Sequence, residues 1–329
     1  MKFSIALIYG GEGREHEVSL VGRKNLSDMI DRERYEVTFV LISQEGEWFI
    51  EKEDEKTPAF PVFMGGESGL FANGKIIRID VAIPLLHGDL GEDGIIVGAL
   101  RAAHIKFVGC DVLAGAVCAD KILTKLVSDA LGLPSARWTC SSDENPLDAM
   151  AAAEKAFGYP MFIKPASLGS SIGISRVECK EDFTKAYKNA YALSRRVLIE
   201  EAVKVKSELE CAYLFTEGKH YYRIGEILSD GKFYDFDRKY ISHTETKTAF
   251  TKKELEAVVT DMADRLRKAI GIRQMARIDF FVTEKGEILF NEINTFPGMT
   301  KTSLYPLLTE EMGLARGEFI NRLISEALL

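Results

Sequence analysis

Met275-Ala276-Arg277-Ile278-Asp279-Phe280-Phe281-Val282-Thr283 is followed by Glu284-Lys285-Gly286-Glu287 and then by Ile288-Leu289-Phe290-Asn291-Glu292-Ile293-Asn294. The outer runs read as two strands and the middle as the turn of a hairpin. If Lys285-Gly286 is a two-residue turn, Glu284 faces Glu287; a four-residue loop centred on the same dipeptide gives the same register. Asp279 then stands opposite Glu292, and Arg277 opposite Asn294. Opposed residues point to one side of a sheet, as do residues two apart on a strand. The hairpin therefore gathers Asp279, Glu292, Asn294 and Arg277 on one face. Carboxylates about 4.5–5.5 Å apart at Cβ repel unless a cation or proton lies between them. Two readings stand open here: a cage of hard oxygen donors suited to Mg²⁺, or an ion-pair network centred on Arg277.

Working outward, Thr251-Lys252-Lys253-Glu254 is a capping box. The helix it opens carries the stripe Leu255, Val259, Met262, Leu266 and Ile270, and Gly271 ends it. At the other end of the chain Phe3–Tyr9 alternates as a strand, Gly10, Gly11 and Gly13 form a turn, and a helix begins near Glu17. Tyr35–Ser43 and the apolar run Val81–Leu86 are further strands. Strand, turn, helix, strand begins a Rossmann-like parallel sheet. Glu51–Lys56 reads as a solvated charge run and Asn73-Gly74 as a hairpin turn. A middle unit follows Gly109-Cys110-Asp111. It has a helix over Leu123–Leu131, a strand over Met161–Ile163, a helix over Glu181–Leu193 with Phe183, Tyr187 and Ala190 on one face, and a strand over Val197–Glu201.

The chain's 329 residues suit two or three domains, and 46% hydrophobic with 28% charged residues is ordinary globular composition. A net charge of −8 argues against a general nucleic-acid binder, which needs a basic field. Five cysteines without CxxC spacing read as free thiols in a reducing compartment. The first residues are too short for a signal core and no apolar run is long enough to span a bilayer, so a cytoplasmic enzyme without membrane partners is expected. Gly169-Ser170-Ser171-Ile172-Gly173 lacks the Gly-Lys-Ser/Thr of a P-loop, and Gly10–Glu15 lacks the third glycine of a dinucleotide fingerprint. His16-Glu17 lacks the second histidine of a zinc protease.

Arg277-Ile278-Asp279, Glu292-Ile293-Asn294 and the continuation Thr295-Phe296-Pro297-Gly298-Met299-Thr300 resemble the metal-binding end of the ATP-grasp superfamily, and specifically of the D-alanine–D-alanine ligase family. Five further strings resemble that family in the right order. They are Gly10–Leu20, then His87-Gly88 with Gly91-Glu92-Asp93-Gly94, then Asp120-Lys121, then Lys164-Pro165 with Gly169–Gly173, and finally Tyr234–Tyr240. The likeness spans nearly the whole chain. It implies an ATP-grasp fold, mixed α/β and α+β, in three domains: a Rossmann-like domain over 1–112, a central lobe over 113–206, and a C-terminal lobe with the metal site over 207–329.

The resemblance also implies a function. Such an enzyme joins two D-alanines for peptidoglycan precursors through a D-alanyl phosphate and a tetrahedral intermediate. Charge neutralisation and positioning supply most of the catalysis of phosphoryl transfer. Asp279, Glu292 and Asn294 would hold two Mg²⁺ ions, for which Mn²⁺ can substitute. Lys121 and Lys164 would meet phosphate oxygens. Glu200 and Glu208 would bind adenosine, with Glu201–Val203 as the strand whose backbone meets adenine. Glu15 would take the first D-alanine's ammonium and join Ser170 and Tyr240 in a hydrogen-bonded triad. Arg277 and the Gly298 N–H would stabilise the tetrahedral oxyanion, Ser303 and Lys239 would meet the second carboxylate, with Lys239 also near phosphate, and His87 would hydrogen-bond near the substrates. Family members are commonly homodimers through the first domain.

Two departures stand out. Thr244–Phe250 lacks the family's Pro-Ala pair beside the acceptor, and Lys204-Val205-Lys206-Ser207 replaces the usual glycine before Glu208. Tyr240 itself favours an amine acceptor, D-alanine or D-serine, because ligases that make D-alanyl-D-lactate lack this tyrosine. An oxidoreductase would explain the first strand–glycine–helix but not the carboxylate hairpin. A catalytically silent nucleotide-binding protein need not keep Arg277 or Tyr240.

Overall fold

The computed structural model describes all residues except Met1, Asp54, Asp89, Ser170, 229–245, 248–252, 301–302 and Arg316. The expected capping box and the Thr244–Phe250 departure lie largely outside them. So do Ser170, Lys239 and Tyr240.

The N-terminal part begins β1 (Phe3–Gly10), α1 (His16–Met29), β2 (Tyr35–Ile42), β3 (Trp48–Lys52), β4 (Glu55–Pro58), β5 (Phe60–Met64), β6 (Glu67–Ala72), β7 (Lys75–Arg78), β8 (Val81–Leu85), α2 (Ile95–Ala102) and β9 (Lys106–Phe107). Its main sheet runs β4-β3-β2-β1-β8-β9, with β1 parallel to both β2 and β8. Ile5–Tyr9 and all of β8 are buried, as a parallel strand covered on both faces requires. The Asn73-Gly74 turn closes the β6–β7 hairpin, both residues at positive φ. The charge run at 51–56 is solvated at Lys52, Glu53, Glu55 and Lys56, but it lies largely in strands and Glu51 is drawn inward. Glu51 pairs β3 with β2, and its carboxylate takes Arg23 at 3.2 Å and the Tyr9 hydroxyl, so alternation in a strand hides one acid among exposed ones.

The middle part contains α3 (Val112–Ala119), α4 (Lys121–Ala130), β10 (Trp138–Ser141), α5 (Leu147–Ala156), β11 (Met161–Pro165), β12 (Ser175–Val177), α6 (Lys180–Leu193) and β13 (Val197–Glu201). The sheet order is β10-β13-β11-β12. Phe183, Tyr187 and Ala190 of α6 are buried against it with Met161, Ile163 and Ile199. Helix α3 goes elsewhere: Ala114 and Cys118 pack into the core of the next sheet. A division at 112/113 thus cuts α3 after its first residue, Val112, and separates the N-cap Asp111 from a helix whose packing is C-terminal.

The last part comprises β14 (Val205–Thr216), β15 (Lys219–Leu228), β16 (Thr246–Lys247), α7 (Lys253–Ile270), β17 (Met275–Thr283), β18 (Ile288–Asn294), α8 (Leu304–Glu311) and α9 (Glu318–Leu328). Its antiparallel sheet runs β16-β15-β14-β17-β18, with Val259, Met262, Leu266 and Ile270 of α7 buried on one face. The 206/207 division falls inside β14, where a bulge at Lys206 breaks the pairing with β17. The residues that replace the family's glycine are accommodated there as a bulged strand. Phe319, Ile320, Leu323 and Ile324 of α9 share one core with Ile5, Leu7, Ile83 and Leu85 of the first sheet and Leu214 and Met275 of the last. That shared core fixes the first domain against the carboxylate hairpin.

Candidate active site

Arg277 pairs with Asn294 and Asp279 with Glu292 across β17–β18, so all four side chains lie on one sheet face. The register was expected from a two- or four-residue turn, and the turn is neither. Thr283 and Glu287 bracket a three-residue loop, with Gly286 at φ +83°. A bulge at Asn291 then shifts the pairing back by one between Asp279 and Phe280. The two irregularities cancel, and the carboxylates come opposite each other.

Arg277 clamps Asp279 through Nε–Oδ1 at 2.8 Å and Nη2–Oδ2 at 2.7 Å, and Asn294 Nδ2 donates to Oδ2 at 3.2 Å. Glu210, opposite Asp279 on β14, lies 3.5 Å from Arg277 Nε. Its alternation with Glu208 was the only sequence signal for it, and it went unread. Asp279 Oδ2 is filled by two donors, while Oδ1 receives one and keeps lone-pair capacity. Among the described residues no three His, Cys, Asp or Glu side chains gather as a metal site. The donor set that fits Mg²⁺ here is two carboxylates and an amide oxygen.

Lys121 stands at the first position of α4, which Asp120 caps through Leu123 N at 2.9 Å. Lys121 Nζ donates to the Leu168 carbonyl and lies 4.0 Å from Glu292 Oε2. Lys164, on β11, ion-pairs with Glu200 Oε2. Glu200 Oε1 takes Lys125, a buried lysine that sequence reasoning missed. Burial opposes ionisation of Glu200, but Lys125 and then Lys164 outweigh it and hold the carboxyl at about 2. Phe162 pairs with Glu200, and Phe281 pairs with Glu208 two residues from Asp279. Glu201–Val203 is not a continuing strand: β13 ends at Glu201, and the Val203 N–H turns back to the Glu201 carbonyl at 3.1 Å. The Glu201 carboxylate pairs with Arg137.

On the other side, Glu15 is buried at the N-cap of α1. A Cβ on Gly88, which has φ +68°, would lie 2.3 Å from Glu15 Oε2; only glycine lets that turn approach the carboxylate. Glu92 fastens the turn. It accepts from Gly88 N at 3.1 Å and from Phe296 N at 3.3 Å, joining the His87-Gly88 string to the Asn294–Thr300 string. Burial, then the charge of Glu15, push its carboxyl up to about 7. His87 is buried, its Nε2 meets no hydrogen-bond partner among the described residues, and burial lowers its basicity. Ser303 Oγ contacts Thr300 N at 3.1 Å and sits beside Gly298. Asn25, also missed, reaches from α1 to the Met299 carbonyl at 2.5 Å.

Two clefts meet at a wall of Gly88, Leu168 and Gly169. One holds Glu12, Arg14 and Glu15, the other Lys121, Glu292 and Asn294. Cationic and acidic groups facing one another between two antiparallel sheets, with a Rossmann-like sheet closing one end, define an ATP-grasp carboxylate–amine ligase.

Comparison narrows the class. A family model described as D-ala D-ala ligase N-terminus matches residues 4–110, and one described as D-ala D-ala ligase C-terminus matches residues 127–325. The D-alanine–D-alanine ligase of Deinococcus radiodurans is 39% identical over 340 residues, covering 100% of this chain and 99% of that protein. That of Oceanobacillus iheyensis is 38% identical over 351 residues, covering 100% and 96%. Among solved structures, the VanG D-Ala:D-Ser ligase of Enterococcus faecalis superposes with TM-score 0.90 at 30% identity, covering 99% of this chain and 100% of that one. The D-alanyl-alanine synthetase A of Vibrio cholerae gives 0.88 at 31%, covering 99% and 98%. The chain belongs to the D-alanine–D-alanine ligase family, whose members depend on ATP and a divalent metal.

Proposed function

We propose that this chain joins two D-alanines into D-alanyl-D-alanine for peptidoglycan precursors, using ATP and releasing ADP and phosphate. The observation that supports it most is the shared face of Asp279, Glu292 and Asn294, with Lys121 4.0 Å from Glu292. Asp279, Glu292 and Asn294 would hold two Mg²⁺ ions, or Mn²⁺ in their place, which neutralise phosphate charge. Lys121 and Lys164 bind phosphate oxygens, and Glu200, Glu208 and the Glu201–Val203 backbone bind the nucleoside. Phe162 and Phe281 flank it.

Glu15 takes the ammonium of the first D-alanine. His87 Nε2 is a buried polar atom that a substrate can satisfy. Ser170 and Tyr240 complete the triad with Glu15, and Lys239 and Ser303 hold the second carboxylate. After phosphoryl transfer to the first carboxylate, the second amine attacks. Arg277 and the Gly298 N–H bear the developing oxyanion, an effect of about 2.7–4 kcal/mol per donor in other enzymes. A homodimer in the cytoplasm is the setting this reading expects.

D-Serine as acceptor is a second reading, favoured by the likeness to the D-Ala:D-Ser ligase. Phosphate release with ATP and Mg²⁺ tests both. Turnover with D-alanine alone supports the first, and turnover that needs D-serine supports the second. No turnover with any D-amino acid refutes both.

A further inference from the structure

Lys125 lies one helical turn beyond Lys121 on α4, and its side chain is 2% exposed. Lysine is almost never so buried without a partner. Its partner, Glu200, is shared: Lys125 Nζ binds Oε1 and Lys164 Nζ binds Oε2. The two lysines differ in access. Lys164 is 10% exposed, and its ammonium lies 5.8 Å from the Phe162 ring centre, on the side where the nucleotide is proposed to bind.

Charge decides what this arrangement can do. Lys164 and Glu200 alone make a neutral pair, which offers a polyphosphate little attraction. With Lys125 the group carries one net positive charge, and Lys164 still has two of its three N–H donors for other partners. In a partly dehydrated cleft an uncompensated unit charge acts strongly on phosphate. We infer that Lys125 is a positioning residue that neutralises Glu200 from within the lobe, so that Lys164 presents a net positive charge to the phosphates of the bound nucleotide. The inference rests on the nucleotide site proposed above and adds a residue to it.

Equilibrium binding of Mg·ADP and of adenosine to the full chain, followed by calorimetry, separates charge from shape, because adenosine has no phosphate. Lys125→Met should lower the ratio of ADP to adenosine affinity roughly tenfold. Lys125→Arg should preserve it. Lys125→Met combined with Glu200→Gln restores one net positive charge and should recover the ratio. Glu200→Gln alone adds a positive charge and should raise it; if Lys125→Met does not fold, Lys125→Gln, which can still donate to Glu200 but carries no charge, should lower the ratio in its place. Equal loss of both affinities in Lys125→Met, or an unmoved ratio in Glu200→Gln, overturns the inference. A wild-type chain that binds no Mg·ADP overturns the nucleotide site itself.

Discussion

Glu92 gives a prediction whose size follows from its surroundings. Its carboxylate joins Gly88 N to Phe296 N, yet burial and the nearby Glu15 push its carboxyl from the ordinary 4.5 up to about 7. A carboxyl raised on folding favours the native state while protonated. That contribution is intact below pH 4.5 and is lost as the pH climbs through about 7. At about 1.36 kcal/mol per pH step, the loss amounts to about 3 kcal/mol. Glu92→Gln cannot ionise and resembles the protonated acid in shape. Its amide has one acceptor oxygen where the acid has two, and its NH2 meets one of the two backbone donors. Urea unfolding of both proteins should therefore show a fixed offset at the acid end. From pH 4 to above pH 7 the variant should gain up to about 3 kcal/mol relative to that offset, and comparing the pair cancels the titrating groups remote from Glu92. A stability difference that stays flat from pH 4 to 8 would refute the reasoning.

Two other substitutions probe the site. Arg277→Lys keeps a positive charge but loses the fork that grips both oxygens of Asp279, so turnover should fall by roughly a hundredfold or more with the fold intact; steady-state rates and a thermal melt check it. Gly88→Ala places a methyl 2.3 Å from Glu15 Oε2 at a positive φ, so it should raise KM for D-alanine and cost on the order of 1–3 kcal/mol of stability. Unchanged KM would show that Glu15 does not meet that substrate.

The elements nearest the site were the most legible. Met275–Thr283, Ile288–Asn294 and Val197–Glu201 are the strands expected, because each is an apolar run bounded by turn residues. The Asp279–Glu292 pairing was found despite a misread turn, since Gly286 also suits a three-residue loop and no pattern announces the bulge at Asn291. Lys125 was illegible for a different reason. It follows Lys121 at helical spacing, as a surface lysine would, and the glutamate that buries it lies on a strand far along the chain. The same holds for Asn25, whose partner Met299 is distant in sequence, and for α9, whose stripe does not say which sheets it will join.

The cation cage on the last hairpin is tested most directly by Glu292→Gln, which keeps the shape of the side chain and removes its charge. ATP-dependent ligation at saturating Mg²⁺ should be abolished while urea unfolding remains a single cooperative transition at an unchanged midpoint. A folded Glu292→Gln enzyme that ligates near the wild-type rate would contradict the proposed metal site.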